Sequence, residues 1–195
     1  MREDDDFDHQ DDASDYGYFD YNRESPNDGD DLIEIGDNPL VDSIYAHGGG
    51  GNDKMIGSIH DDEMLYGGGG DDKIWANNPD QIETNNSGNE IFGNGGNDII
   101  YGSAAGDELY GDWEDEYYNE GGDDIIYTGG ANYDDADYAH GGAGDDKIYG
   151  EGTGTHNLYG EWGDDKIFGG DGRNYIWGDD FTEKITEGRN SEGGY

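Results

Sequence analysis

Single aliphatic residues recur along most of this chain at intervals of about nine residues, and glycine-rich stretches separate them. The pattern runs from Met55 to Ile185, which is fourteen steps over 130 residues. Each aliphatic residue is the middle of a triplet, the shortest β-strand that places one side chain on one face. Glycine tolerates the positive φ angles of tight turns, so the stretches between are predicted to be turns. Because no helical periodicity is present, the chain is predicted to be all-β.

These aliphatic side chains must be buried together, because a three-residue strand cannot bury its one apolar side chain alone. Stacked copies of the unit create a continuous thin core, which is why such repeats occur in arrays. The predicted core positions are Met55, Leu65, Ile74, Ile82, Ile91, Ile100, Leu109, Tyr117, Ile126, Ala139, Ile148, Leu158, Ile167, Ile176 and Ile185.

A polar residue, usually aspartate, stands two positions before each core residue. We number the unit so that this polar residue is position six and the core residue is position eight. The position-six residues are Asp53, Glu63, Asp72, Asp80, Asn89, Asp98, Asp107, Asp115, Asp124, Asp137, Asp146, His156, Asp165, Asn174 and Glu183. Their constant spacing from the core predicts that they all face the same kind of turn.

The charge of the chain excludes several classes of protein. Asp and Glu number 50 and Lys and Arg number 9, so the formal net charge is −41. Nucleic-acid phosphates and anionic membrane surfaces require a basic partner, and this chain would repel both. No apolar run is long enough to span a bilayer, so membrane insertion is not expected. The chain has no cysteine, which excludes disulfides and thiolate metal sites.

Composition alone also allows a disordered chain, because high charge with low hydrophobicity opposes core formation. A folded state with this charge requires bound cations, since the carboxylates would otherwise repel one another. Carboxylate-rich loops without sulfur ligands suit hard cations such as calcium.

Five units are nearly regular: 48–56, 67–75, 93–101, 141–149 and 160–168. Their sequence resembles the RTX nonapeptide repeat Gly-Gly-x-Gly-x-Asp-x-U-x of calcium-binding β-rolls. The resemblance covers about residues 48–186, and strand-like segments at 29–34 and 42–45 suggest an earlier start. It implies a parallel β-roll, or β-solenoid, with two units and about eighteen residues per coil. We therefore expect roughly seven to eight coils.

The resemblance also implies the calcium ligands. In this family, ions lie between the turns of neighbouring coils, held by loop carbonyls and position-six carboxylates. Several ions are expected, mainly along one side of the roll. The implied ligand residues are Gly48, Gly50, Asn52, Asp53, Gly67, Gly69, Asp71, Asp72, Asp98, Gly106, Asp107, Gly121, Asp123, Asp124, Gly141, Ala143, Asp145, Asp146, Gly160, Trp162, Asp164 and Asp165.

Two units per coil predict that alternate units differ, and they do. All five lysines follow position six of odd-numbered units: Lys54, Lys73, Lys147, Lys166 and Lys184. Counting in this way places Asn89 and Asp107 on the odd side with Asp53, and Asp98 on the even side with Asp80. It predicts one well-formed calcium ladder on the odd side, and patchy sites or ordinary turns on the even side.

Aromatic residues occupy position nine of most units. The first interpretation is stacking between coils, which stabilises the sheets. The alternative is a binding surface for a glycan or a protein, because an exposed aromatic stripe is a large amphipathic patch. The candidate surface consists of Tyr66, Trp75, Phe92, Tyr101, Tyr110, Tyr149, Tyr159, Phe168 and Trp177.

The sequence lacks the metalloprotease, lipase and phosphate-loop motifs, so we expect no enzymatic activity. We divide the chain into an acidic extension (1–38) that caps the roll or forms an intersubunit arm, the roll itself (39–186) and a tail (187–195). The predicted function is a calcium-stabilised structural module outside the cell, where calcium is abundant. One alternative is a subunit of a head-to-tail filament or matrix, assembled through the coil ends and the arm. Another is a glycan-binding module of a secreted carbohydrate-active protein.

Overall fold

The computed structural model of the chain describes residues 17–19, 29–36, 44–58, 63–77, 88–112, 121–130, 136–178 and 184–186. The strands within these ranges form two parallel sheets of eight strands each. Sheet A consists, in spatial order, of β1 (Gly17–Phe19), β3 (Ile44–Gly50), β5 (Glu63–Gly69), β7 (Glu90–Gly95), β9 (Glu108–Tyr110), β11 (Ala136–Ala143), β13 (Thr155–Trp162) and β15 (Arg173–Trp177). Sheet B consists of β2 (Leu32–Glu34), β4 (Lys54–Ile56), β6 (Lys73–Trp75), β8 (Ile99–Tyr101), β10 (Ile125–Tyr127), β12 (Lys147–Tyr149), β14 (Lys166–Phe168) and β16 (Lys184–Thr186).

The chain alternates between the two sheets, so each coil contributes one strand to each sheet. Every strand pairs in parallel with the strand one coil away, as Ile126 does with Ile148. This is the predicted β-roll. The described ranges contain no helix long and apolar enough to cross a membrane.

The core is a single layer of side chains between the sheets. One inward residue per strand is almost fully buried: Ala46, Leu65, Ile91, Leu109, Ala139, Leu158 and Ile176 from sheet A, and Ile33, Met55, Ile74, Ile100, Ile126, Ile148 and Ile167 from sheet B. The position-eight prediction is therefore confirmed wherever the structure describes the side chain. The predicted core positions Ile82 and Tyr117 lie outside the described residues.

The coils are not uniform in length. One residue stands immediately before each sheet-B strand, from Asp31 in the first coil to Asp165. The spacing from each of these residues to the next is 22, 19, 26, 26, 22 and 19 residues. Seven such positions delimit six complete coils, slightly fewer than predicted, with further strands at both ends. The predicted eighteen residues are thus close to the minimum coil, and longer turns are inserted into several coils.

Two of these insertions make part of the predicted alternation wrong. Units at Asp80 and Asp115 were expected to form half-coils, but β5 pairs directly with β7, and β9 with β11. The first insertion therefore places the units that follow it on the opposite sheet from the one predicted. The second insertion returns the later units to the predicted sheet. As a result, Asp98 precedes a sheet-B strand, whereas Asn89 and Asp107 precede sheet-A strands. The lysines are unaffected, and all five lie on sheet B as predicted.

The predicted strand-like segments before the roll are confirmed. Strand β2 pairs with β4, and its Ile33 belongs to the core. Strand β3 begins at Ile44, within the second segment. Strand β1, which also lies in the extension, pairs with β3 at the end of sheet A. The residues of the extension other than 17–19 and 29–36, and the whole tail 187–195, lie outside the described residues, so the capping or arm role remains a prediction.

Position-nine rings form a stacked ladder on each outer face. On sheet A the ladder is His47, Tyr66, Phe92, Tyr110, His140, Tyr159 and Trp177, with centroid separations of 4.5–6.0 Å. On sheet B it is Trp75, Tyr101, Tyr127, Tyr149 and Phe168, with separations of 4.8–5.2 Å. Stacking between coils is therefore confirmed, and two histidines complete the sheet-A ladder.

Strand β10 offers a matched test of the thin core, because Ile126 faces inward and is fully buried while its neighbour Ile125 faces outward. We expect Ile126→Ala to lower the free energy of unfolding by about 3 kcal/mol, since it leaves a cavity. Ile125→Ala should lower it by less than about 1 kcal/mol. Denaturant unfolding in calcium-containing buffer, followed by far-UV circular dichroism, measures both. Equal losses from the two variants would contradict the assignment of the core face.

Candidate metal centre

Glycine-rich loops carry the chain from sheet A to sheet B at one edge of the roll. The intact loops are 48–53, 67–72, 93–98, 141–146 and 160–165. Positions two and four of each have positive φ, as at Gly68 (118°) and Gly70 (122°). L-residues rarely adopt this conformation, which explains the glycines. Position two nevertheless accepts Asn94 (72°) and Glu161 (74°).

At the end of these loops, position-six aspartates from successive coils form a continuous row, which we call the inner row. Its members are Asp53, Asp72, Asp98, Asp124, Asp146 and Asp165. All are at most 2% exposed. The Oδ1 atom of each accepts the backbone N–H of the corresponding residue one coil earlier, at 2.7–2.9 Å. One carboxylate oxygen per coil is thereby fixed by the backbone.

The other oxygen of each inner-row carboxylate has no donor. All six Oδ2 atoms are buried and lack a hydrogen-bond partner. Each lies beside the position-one glycine of its own loop, and in most coils the carbonyl oxygen of the next coil's position-one glycine is adjacent. A Cβ atom added at Gly67, for example, would overlap both Asp72 Oδ2 and the carbonyl oxygen of Gly93.

Glycine is thus required at position one, because a side chain there would collide with the aspartate Oδ2 atom and with the carbonyl oxygen. The same crowding applies at Gly48, Gly93, Gly111 and Gly141. Buried polar atoms normally have a partner, so acceptors that lie beside other acceptors need either a cation or a proton between them. An all-oxygen set of carboxylates and carbonyls matches the ligands that calcium prefers. In the described part of the chain no three His, Asp or Glu side chains converge on one point, so such a site depends on backbone carbonyls.

Burial raises the pKa of every inner-row carboxyl. Desolvation is the main cause, neighbouring carboxylates add to it, and the backbone N–H donor partly opposes it. The pKa values rise to about 7 for Asp72, about 8 for Asp98 and Asp146, and about 10 for Asp124. Those of Asp53 and Asp165 are also raised. Without a cation, the ionised row is therefore unfavourable at neutral pH.

Position-five residues form a second row, the outer row, parallel to the first. It consists of Asp30, Asn52, Asp71, Asn97, Asp123, Asp145 and Asp164. The Oδ1 atom of each of the first six accepts the N–H of the next member at 2.8–3.0 Å. All of these side chains are exposed. Five predicted ligands therefore have their side chains in the outer row, apart from the carboxylate oxygens that lack a donor. They are Asn52, Asp71, Asp123, Asp145 and Asp164.

The opposite edge of the roll carries a third row before or at the start of the sheet-A strands. Its members are Glu63, Asn89, Asp107, Asp137, His156 and Asn174, all buried. Donors within the chain serve the acids of this row, whereas His156 Nε2 and Asn174 Oδ1 have no hydrogen-bond partner. Ser58 donates to Glu63, the Ser103 hydroxyl donates to Asp107 Oδ1 at 3.2 Å, and His156 Nδ1 lies 2.8 Å from Asp137 Oδ2.

The assignment of Gly106 and Asp107 to the same ladder as Asp53 and Asp124 is wrong. Their coil places them at the opposite edge, where Asp107 Oδ2 accepts the N–H of Ser103. Burial still raises the pKa of Asp107, to about 7, although the Ser103 and Asn89 donors oppose the shift. Asp98 belongs to the inner row with Asp72 and Asp124.

The remaining predicted ligands occupy loop positions one and three. Gly48, Gly67, Gly141 and Gly160 are position-one residues beside the orphaned oxygens. At position three, Gly50 pairs with Gly69 and Ala143 with Trp162 at the ends of sheet-A strands. Trp162 is 66% exposed, so a large side chain is accommodated at position three.

Sequence reasoning missed Gly93 and Gly111, the position-one glycines of the loops that end at Asp98 and Asp124. Gly93 could have been identified by its spacing of five residues from Asp98, which equals the spacing from Gly67 to Asp72. Gly111 was hidden because eight additional residues, 113–120, stand inside its loop.

Comparison with known proteins agrees with this geometry. The family model for the RTX calcium-binding nonapeptide repeat (4 copies) matches residues 45–74, 60–78, 83–115, 132–153 and 158–180. These ranges include all five intact loops and cover more than half of the chain. Among curated proteins, none matches this chain. The coiled parallel sheets, the stacked glycine loops with a buried aspartate at position six and the family match together show that the chain belongs to the RTX calcium-binding nonapeptide repeat family.

Proposed function

We propose that this chain is a non-catalytic scaffold module that works outside the cell and winds into its rod-like roll when calcium binds along the inner row. The observation that carries the proposal is the row of six buried, donor-less Oδ2 atoms beside glycine carbonyl oxygens. Each orphaned oxygen of the inner row marks one candidate site, which gives six candidate sites among the described residues.

Calcium fits these sites better than other common metals. The available ligands are carboxylate and carbonyl oxygens from flexible loops, and the chain has no cysteine. Calcium accepts six to eight such oxygens in an adaptable shell, whereas magnesium demands a near-ideal octahedron and retains its waters. Each bound ion also adds two positive charges to a chain whose formal charge is −41.

The two edges of the roll support a one-sided calcium ladder. At the sheet-A edge, Ser58, Ser103 and His156 supply donors to the buried acids. Among the described residues of the sheet-B edge, Oδ2 of each inner-row residue finds none. The proposal therefore assigns the ions mainly to the inner row.

An extracellular location follows from the affinity expected of such sites. Extracellular calcium modules bind in the range of about 10⁻⁴ to 10⁻³ M, far above the level at which cytosolic sensors respond. The structural role is supported by the ring ladders. Interior rings such as Tyr127 stack on neighbours on both sides, so their faces are covered and only their edges are open to a glycan.

Chelation should unfold the roll, because the ion sites do not exist in the extended chain and binding is coupled to folding. We expect the β-type far-UV circular dichroism signal to be lost in EGTA at pH 8 and restored by excess calcium. Magnesium at the same concentration is the control and should restore little. An unchanged β signal in EGTA would refute the proposal.

Asp124 and Asp123 form a matched pair for testing the inner row, because Asp124 is buried with an orphaned oxygen and Asp123 is exposed. In Asp124→Asn the amide oxygen can still accept the N–H of Asp98, but the charge facing the loop is lost. We expect calcium to bind the adjacent sites about tenfold more weakly or not at all. Asp123→Asn should change the affinity by less than about twofold. Isothermal titration calorimetry compares them, and the reverse order would assign the ions to the outer row.

The raised pKa values predict that the calcium-free roll is more stable at mildly acidic pH. An inner-row carboxyl titrates near its ordinary pKa of about 4 in the unfolded chain, but near 7 to 10 in the folded one. Between these values the folded state binds more protons, so its stability falls as pH rises. With calcium removed beforehand by a chelating resin, we expect more β structure at pH 5 than at pH 8. In saturating calcium this difference should shrink, and a calcium-free roll that gains stability on raising the pH would contradict the assignment.

A further inference from the structure

One loop of the ladder is interrupted. Gly111 and Asp112 occupy positions one and two, and Gly121 to Asp124 occupy positions three to six. Eight residues, 113–120, separate the two parts in the sequence. Despite this, the second part lies in register. A Cβ atom at Gly122 would overlap the carbonyl of Gly96, and one at Gly144 would overlap the carbonyl of Gly122.

The interruption removes part of sheet A. In the intact loops the pairing extends through positions two and three, as in Gly142 with Glu161 and Ala143 with Trp162. Between β9 and β11 the pairing ends earlier, at Tyr110 and His140. Backbone hydrogen bonds continue only to Asp112, whose N–H donates to the carbonyl of Gly141 at 3.2 Å. Ala143 therefore lacks a strand partner on this side.

The side chain of Asp112 bridges this break. Its Oδ2 atom accepts the N–H of Ala143 at 3.0 Å and the N–H of Gly122 at 3.3 Å. Ala143 belongs to the next coil, and Gly122 belongs to the second part of the same loop. One carboxylate oxygen thus connects three segments: the first part of the loop, the second part and the following coil.

Asp112 also differs from the other position-two residues. Gly49, Gly68, Asn94, Gly142 and Glu161 all have positive φ, whereas Asp112 does not. Its carboxylate is close enough to add to the electrostatic repulsion felt by Asp98, Asp124 and Asp146. A like charge beside three buried carboxylates is unfavourable, so a compensating structural role explains why an acid stands here.

We infer that Asp112 is a positioning residue that splints the interrupted loop, holding Gly121–Asp124 in register so that the two candidate calcium sites on either side of Asp124 match those of the intact loops. The inference rests on the proposed calcium ladder. The residue acts as a hydrogen-bond acceptor for two backbone N–H groups and is not itself required as a charged ligand.

Three variants separate these roles. Asp112→Ala removes the acceptor. Asp112→Asn keeps an amide oxygen as acceptor but removes the charge. The third variant deletes residues 113–120 and carries Asp112→Gly, so that the loop reads Gly-Gly-Gly-Gly-Asp-Asp, the same sequence as residues 67–72. Isothermal titration calorimetry and equilibrium dialysis with calcium chloride give the affinity and the number of ions bound, and far-UV circular dichroism in saturating calcium reports folding.

We expect Asp112→Ala to lose about two ions, or to bind them about tenfold more weakly, because a half-buried acceptor for two N–H groups is removed. Its titration should separate into two phases, since the two halves of the ladder no longer fold as one. Asp112→Asn should stay within about threefold of the unmodified chain. The deletion variant should regain the full number of ions without any carboxylate at position two.

The outcomes that overturn the inference are distinct from those that overturn the proposed function. Absence of calcium binding by the unmodified chain overturns both. Normal binding by the unmodified chain and by Asp112→Ala overturns the splint alone. If Asp112→Asn is as defective as Asp112→Ala, or if the deletion variant fails to regain the ions, the carboxylate charge itself is needed and the splint is also overturned. If Asp112→Ala does not fold at all, the asparagine and deletion variants still decide between the roles.

Discussion

The structure depends on one electrostatic constraint, which is that each inner-row aspartate buries a carboxylate oxygen that has no donor, in most coils beside a backbone carbonyl oxygen. Asp72 Oδ2 facing the carbonyl of Gly93 is the repeating unit of this arrangement. Such a row is unfavourable as long as it is ionised and unscreened. A hard divalent cation reverses the sign of the interaction, because the same oxygens become its ligands. In the proposed calcium ladder, folding and metal binding are one equilibrium, and the very acidic composition fits that coupling.

The two edges of the roll show two solutions to the same problem. Both edges bury a row of polar side chains immediately before the strands, since both sheets follow the same local pattern of position six and position eight. At the sheet-A edge, serine hydroxyls and a histidine replace the cation as partners of Glu63, Asp107 and Asp137. Glycine stands at position one at both edges, since a Cβ atom at Gly57 would overlap Glu63 Oε2 and one at Gly102 would overlap the carbonyl of Thr128. The two edges therefore differ in the donors that a few neighbouring turn residues supply to the buried acids.

The core is so thin that packing on the outer faces contributes to stability. Most of the described strands bury a single aliphatic side chain, and the ring ladders add apolar contact between the coils from His47 to Trp177 on sheet A and from Trp75 to Phe168 on sheet B. Offset or parallel stacking at about 5 Å is within the favourable range for aromatic pairs. Lys73 lies 4.8 Å from the centroid of Trp75 and 5.6 Å from that of Tyr101, so cations on sheet B also interact with the ladder. The outer faces therefore act as a second stabilising layer outside the core.

Local pattern was sufficient to predict the strands of the repeat units, the inward residues and the placement of the lysines, but not strand β1 in the acidic extension. An aliphatic residue two positions after an acid, such as Ile148 after Asp146, needs no tertiary information, because side chains alternate strictly along a strand. The same pattern could not assign Asp98, Asn89 and Asp107 to an edge. Insertions at 78–87 and 113–120 change the number of residues per coil, so the coil to which a residue belongs is known only from the pairing of the strands. The pattern also could not show that Asp107 has donors while Asp124 Oδ2 has none, or that Asp112 bridges a break. These properties depend on hydrogen bonds between coils, which join residues 18 to 31 positions apart. Which residues become neighbours across coils is decided by how the chain winds.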